Sequence, residues 1–181
     1  LLRKEVYVSE KNDKEKLGNL KKILVLGGSQ GAKFFDKNIT DLLLQVSEKI
    51  EIEVCQQVYD ELEKNKIKSK YIDAKILNTL FSFDEELFNE IGKFDLAITR
   101  SGASAIAELS FFNIPFIAIP FPFAKDDHQY YNAKFYENLD TCWLIRQSEF
   151  KKNLMSDLII NLFNDSDNYF NKKRNLKSIS N

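Results

Sequence analysis

Three times along this chain an apolar run that reads as a strand stops at a small, polar or glycine-rich stretch, and a helix-like run begins at once. The joints are ILVLGGSQGA (Ile23 to Ala32), LAITRSGAS (Leu96 to Ser104) and FIAIPFPFAKDDHQ (Phe116 to Gln129). Such joints select a parallel sheet, because strands linked through helices run in one direction. They then all open on one edge of that sheet, where loops distant in sequence meet. The phosphates, sugar and base of one nucleotide form a ligand that three such loops can grip together.

The remaining sequence keeps the alternation. Strand-like runs at Lys22–Leu26, Glu51–Gln56, Ile76–Phe81, Phe94–Thr99, Phe116–Ile119 and Cys142–Ile145 are separated by helix-like runs. The helices are expected at Ala32–Lys49, Tyr59–Lys66, Asp84–Ile91, Ala103–Phe112, Asp127–Leu139 and Ser148–Phe163, with a weaker one from Tyr169 onward. In the first, Phe35, Ile39, Leu42, Leu43, Val46 and Ile50 fall on one stripe. The fold class this predicts is α/β: a doubly wound, mostly parallel sheet with helices on both faces and right-handed crossovers. Residues 1–20 read as a lead-in, 21–165 as one ligand-binding domain, and 166–181 as a polar tail that frays or packs on a further domain.

Composition narrows the function classes. At 181 residues with 44% apolar content, the chain suits a single core that buries about two-thirds of the unfolded surface. With 26 basic and 27 acidic residues the net charge is -1, which argues against a nucleic-acid partner held by phosphate neutralisation. The longest apolar run, Ile114 to Phe123, carries three prolines and falls well short of the ~20 residues of a membrane-spanning helix. No secretory leader is visible. Cys55 and Cys142 stand far apart without metal-type spacing, so both are expected as buried, reduced thiols of a cytosolic protein. The chain begins at Leu1 and its single methionine is Met155, so it is expected to be the C-terminal part of a longer product, with half of an active site supplied elsewhere.

Each joint has its own chemistry. In the first, glycine allows a tight turn, and the N–H groups of Ser29, Gln30 and Gly31 would sit at the positive end of the following helix, where an anion is stabilised. A dinucleotide cofactor is the competing ligand, yet that fingerprint asks for an acidic residue at the end of the next strand. Cys55, Gln56 and Gln57 stand there instead. In the second joint, Ser101, Gly102, Ala103 and Ser104 open a helix with unpaired backbone donors. Glu108, four residues after Ser104, would lean back toward whatever those donors hold, and a carboxylate there can accept both hydroxyls of a ribose. A solvated helix glutamate is the plain alternative. In the third, Asp126 or Asp127 can cap the helix, leaving His128 and Gln129 in its first turn, where forked donors and acceptors suit a hydroxyl-rich sugar. His128 as a general base, or as a surface histidine without a role, stays open. Asp126 and Asp127 adjoin but form no recognisable metal-ligand set.

GGSQGA, the FDEE stretch at Phe83 to Glu86, RSGASAIAE and PFPFAKDDHQYYNA together resemble the C-terminal half of the MurG family, bacterial transferases that add N-acetylglucosamine to lipid-linked muramyl-pentapeptide. The ordered set spans nearly all of the chain and is far more specific than any one motif. The resemblance implies the donor half of a two-domain inverting glycosyltransferase of the GT-B type, binding UDP-N-acetylglucosamine with no cofactor and no metal. Ser29, Gln30 and Gly31 would face the diphosphate, and Phe83 with Asp84 would border the uracil. Ser101 to Ser104 would cradle the phosphates, Glu108 would hold the ribose, and His128 with Gln129 would contact the sugar. Arg3 resembles an arginine of the interdomain segment through a short match. The catalytic base, the lipid-linked acceptor site and peripheral attachment to the cytoplasmic side of the inner membrane would belong to the other half. A glycolipid-forming relative, a non-catalytic subunit of a split transferase and a dinucleotide oxidoreductase remain as alternatives.

Overall fold

A computed structural model of the chain describes residues 11–28, 33–82 and 90–179. Among these residues six strands form one parallel sheet in the order β3-β2-β1-β4-β5-β6. They are β1 (Lys21–Leu26), β2 (Ile52–Gln57), β3 (Leu77–Phe81), β4 (Leu96–Thr99), β5 (Phe116–Ala118) and β6 (Cys142–Leu144). β4 and β5 are buried along their whole length, as parallel strands covered on both faces must be. β3, at the sheet edge, alternates exposed and covered residues instead. The chain winds outward from β1 to β3, then returns to β4 beside β1 and winds the other way. The reversal leaves a crevice beyond the carboxyl ends of β1 and β4, the place where open α/β sheets bind ligands.

The helices are α1 (Thr40–Ser47), α2 (Glu61–Asp73), α3 (Ala103–Phe111), α4 (His128–Asn138), α5 (Lys152–Asn164) and α6 (Asp167–Ile179). Successive side chains of a strand point to opposite faces, so β1 sends Ile23 and Val25 into one core layer and Leu24 into the other. The first layer packs α1, α2 and α5 through Leu42, Leu43, Ile67, Tyr71, Ile159 and Phe163. The second packs α3 and α4 through Ile106, Leu109, Phe112 and Ala133. Both cysteines are buried and outside any disulfide, and burial pushes the Cys142 thiol up to about 12, which makes it a poor nucleophile.

The structure revises several expectations. α2 begins later and runs longer than the expected Tyr59–Lys66 helix, because the Asp60 side chain accepts from the N–H groups of Leu62 and Glu63 and sets the start. The expected Asp84–Ile91 helix lies almost wholly outside the described residues. Neither Asp126 nor Asp127 caps α4 through its side chain; both adopt a left-handed backbone, φ 52°, in the turn before it. The segment expected as a frayed tail is α6, which packs on this same domain. Tyr169 enters the first core layer and Leu176 the second, so α6 closes both. The Tyr169 hydroxyl donates to the Asp95 carbonyl at 2.7 Å, and Lys173 donates to Asn12 Oδ1 at 2.6 Å and to the Lys14 carbonyl at 2.8 Å. The lead-in is thereby pinned to the edge of the sheet where β4 begins.

Candidate functional site

The first two joints meet at the crevice. Leu26 lies in register with Thr99, and the Arg100 N–H donates to the Leu26 carbonyl at 3.0 Å, so the turn after β1 starts beside the turn after β4. Gly27 is required by close approach: a Cβ there would meet the Cβ of Phe35 at 3.1 Å. Gly28 is required by its φ of +64°. Phe35 opens a π-helical turn, Phe35–Ile39, that leads into α1, a distortion often found at functional sites. The Gly28 N–H donates to Gln57 Oε1 at 3.2 Å, and Gln57 Nε2 donates to the Tyr59 hydroxyl at 2.7 Å. An amide therefore occupies the rim at the end of β2 where a dinucleotide site would carry its ribose carboxylate. Gln56 points the other way, buried against Thr40 and Tyr71.

The second joint opens α3 without a side-chain cap at Gly102, so its first-turn N–H groups face the crevice with no side chain answering them. Ser101 is fully buried, and its Oγ has no hydrogen-bond partner. Orphaned buried hydroxyls are rare, and one placed beside an uncapped helix start fits a ligand that supplies the missing bond. Ser104 is exposed one turn before Glu108, which is 3% exposed. The solvated-glutamate alternative is thereby removed: this carboxylate lies inside the molecule on the wall of α3.

The third joint is tied to the second. Asn132 of α4 donates from Nδ2 to the Ser101 carbonyl at 3.2 Å. Gln129 accepts the Phe121 N–H on Oε1 at 3.0 Å, which fixes the loop after β5 and leaves the Nε2 amine as the part of its fork able to meet a ligand. His128 is exposed, with Nδ1 2.7 Å from the Lys125 carbonyl. A carbonyl only accepts, so Nδ1 carries the proton and Nε2 is the ring atom open to a ligand.

The structure thus places Ser101, Gly102, Ala103, Ser104, His128 and Gln129 on the loops and helix starts that follow β4 and β5, with Glu108 buried further along α3. Ser29, Gln30, Gly31, Phe83, Asp84 and Arg3 lie outside the described residues. Sequence reading missed Gln57, Asn132, Gln147 and above all Arg100, a residue only 5% exposed just past the end of β4. The available signal was Arg100 itself, one of four arginines in a lysine-rich chain, standing at the exit of a mostly apolar strand. Among the described residues no group of three or more His, Cys, Asp or Glu is placed to hold a metal ion, and no helix is long and apolar enough to cross a membrane.

A 3-2-1-4-5-6 parallel sheet with glycine turns and an open helix start at its switch point defines a doubly wound, Rossmann-like α/β domain. Within that class, residues 22–181 match the glycosyltransferase family 28 C-terminal domain, and the chain belongs to that family. It is 37% identical over 180 residues to the UDP-N-acetylglucosamine--N-acetylmuramyl-(pentapeptide) pyrophosphoryl-undecaprenol N-acetylglucosamine transferase of Pelagibacter ubique, covering 99% of this chain and 50% of that protein. A Wolbachia transferase of the same name is 40% identical over 147 residues, 80% of this chain and 42% of the relative. The chain spans about half the length of these curated relatives. The crystal structure of Acinetobacter baumannii MurG superposes with a TM-score of 0.79 at 24% identity, covering 94% of this chain and 51% of that one. The C-terminal CMP-Kdo binding domain of WaaA from the same organism superposes with a TM-score of 0.63 at 8% identity, covering 89% of each chain. At those identities the two structures speak for the fold alone.

Proposed function

We propose that this chain is the donor-binding half of an inverting glycosyltransferase that moves N-acetylglucosamine from UDP-N-acetylglucosamine onto a lipid-linked muramyl-pentapeptide in cell-wall synthesis. The observation that carries the reading is the buried, unpartnered Ser101 hydroxyl beside the uncapped start of α3, with Glu108 buried one to two turns further along the same helix. An anionic diphosphate supplies what that helix start lacks, and Glu108 then takes the attached ribose. Gln129 Nε2 and His128 Nε2 would serve the sugar. Ser29, Gln30 and Gly31 would complete the phosphate cradle, Phe83 and Asp84 would serve the base, and Arg3 would add a contact from the lead-in.

In the reaction, the acceptor hydroxyl attacks the anomeric carbon with inversion, and UDP departs carrying an extra negative charge. Fixed helix-end dipoles stabilise that charge most when it develops fully, in the transition state. No residue here becomes covalently modified and no cofactor takes part. The base, the acceptor lipid and peripheral attachment to the cytoplasmic face of the membrane would belong to the half of the relatives that this chain does not span.

Calorimetric titration of the purified chain with UDP-N-acetylglucosamine and UDP-glucose, on wild type and Glu108→Ala, tests the reading. The expected result is binding that favours the N-acetylated donor and weakens about tenfold or more without the carboxylate. An unchanged affinity in Glu108→Ala removes the ribose assignment. The same chain is expected to bind donor without turnover, and measurable transfer to a lipid-linked acceptor would contradict that division of labour.

A further inference from the structure

Arg100 sits where all three joints touch, and its side chain is an unusual thing to bury. Nη1 donates to the carbonyls of Ile119 and Pro120, both at 3.0 Å, and Nη2 donates to Gln147 Oε1 at 2.7 Å. The first two acceptors lie on the exit of β5, and Gln147 opens the short 3-10 turn after β6. The guanidinium carbon stands 4.7 Å from the Phe35 ring, 5.4 Å from Phe34 and 5.5 Å from Phe121. Phe34 and Phe35 belong to the helix that follows the first joint, and Phe121 belongs to the loop of the third. The Arg100 Cγ lies 3.9 Å from where a Gly28 Cβ would be. One side chain therefore spans the exits of β1, β4, β5 and β6.

Burying a guanidinium is costly, and an apolar side chain of similar volume often serves stability as well or better. Burial lowers its pKa only to about 10, so it stays charged at neutral pH. Its charge lies against the Phe34 and Phe35 rings and at the root of the turn that starts α3. A cation beside the positive end of α3 favours an anion at that helix start.

The geometry points to Arg100 as the positioning residue of the donor site. Its planar fork sets the spacing of the loops that cradle the diphosphate, and its charge biases the crevice toward an anion. It acts through the loop backbones and does not itself take a proton or bond to the reacting atoms. The inference rests on the donor-site reading above.

The test compares two probes, UDP-N-acetylglucosamine and uridine, on purified wild type, Arg100→Lys, Arg100→Met and Gln147→Ala. Thermal melts of the empty proteins establish that each is folded. A positioning role for the diphosphate cradle predicts a selective effect. Arg100→Met loses about tenfold or more in UDP-N-acetylglucosamine affinity while uridine binding changes less than about twofold. Arg100→Lys, which keeps the charge and loses the fork, falls between wild type and Arg100→Met. Gln147→Ala loses about two- to threefold for the diphosphate ligand alone. Should Arg100→Met not fold, Arg100→Lys and Gln147→Ala carry the same comparison. Equal losses for both probes, or no loss for either, overturn the inference while wild-type donor binding stands. Wild type that binds no UDP-N-acetylglucosamine removes the donor reading and this inference with it.

Discussion

Where β4 begins, long-range hydrogen bonds tie the lead-in, α6 and the sheet together; where β4 ends, a buried hydroxyl waits beside an uncapped helix start. At the first edge the Asp95 carboxylate accepts the Lys22 N–H and the Lys14 ammonium, each at 2.8 Å, and its carbonyl takes the Tyr169 hydroxyl. Asn12 donates to the Phe94 carbonyl at 2.6 Å and accepts from Lys173. At the second edge, Ser101 Oγ is buried without a partner, α3 starts uncapped, and two consecutive aspartates hold left-handed backbones. A closed polar network stiffens one edge, and the stability it contributes lets the other keep unpaired donors and strained turns for a ligand.

If that division is real, Tyr169→Ala should destabilise most, by about 3–5 kcal/mol in urea unfolding, through the cavity it leaves and the lost bond to Asp95. Donor affinity, measured where the variant is still folded, should not change; a parallel loss would show that the edges are coupled. Asn12→Ala should cost about 2–3 kcal/mol, because it removes one of the two acceptors of the buried Lys173 ammonium and leaves the Phe94 carbonyl without its side-chain donor. Its unfolding midpoint in urea, against wild type, checks this.

Asp36 sharpens the contrast from the other side. It is buried in the π-helical turn with Oδ1 unpartnered, and burial, with Glu63 and Asp60 adding repulsion, pushes its carboxyl up to about 6. The unfolded chain ionises nearer 4, so stability falls as pH rises between those values and the full penalty is present above about 6. Asp36→Asn should therefore stabilise by about 1–2 kcal/mol at pH 8 and far less below pH 5. Equal gains at both pH values would show that ionisation is not the cause. The smallest expected effect is that of Asp126→Gly: relief of the left-handed backbone and greater freedom of the unfolded chain oppose each other, so thermal unfolding should shift by less than about 1 kcal/mol. Donor affinity should still fall a few-fold as the loop loosens, and a rise would break the link between strain and binding.

The fold was legible because its causes are local. Apolar strand runs ending at Gly27, Ser101 and the proline-rich β5 exit announce parallel strands and a shared edge, and the helical stripe from Phe35 to Val46 is strong. The helix from Tyr169 was faintly legible but its packing was not, because Lys172 and Lys173 read as solvent-facing while both are in fact buried. The backbone of Asp126 and Asp127 was hidden too, since aspartate suits a cap as well as a left-handed turn. At the candidate site, Ser101 and Glu108 were singled out through the helix start and its spacing. Arg100 was missed because arginine is usually exposed, and its role depends on carbonyls from β5 that no local pattern reveals.

α6 joins both layers with one element that follows all six strands, and this orders events during synthesis. While the ribosome still shields the segment around Tyr169 and Leu176, neither layer has its last wall, so the emerging sheet stays open on both faces. Emergence of α6 then completes both at once. A nascent chain stalled before that point should be cut readily by protease, and one stalled well past it should resist.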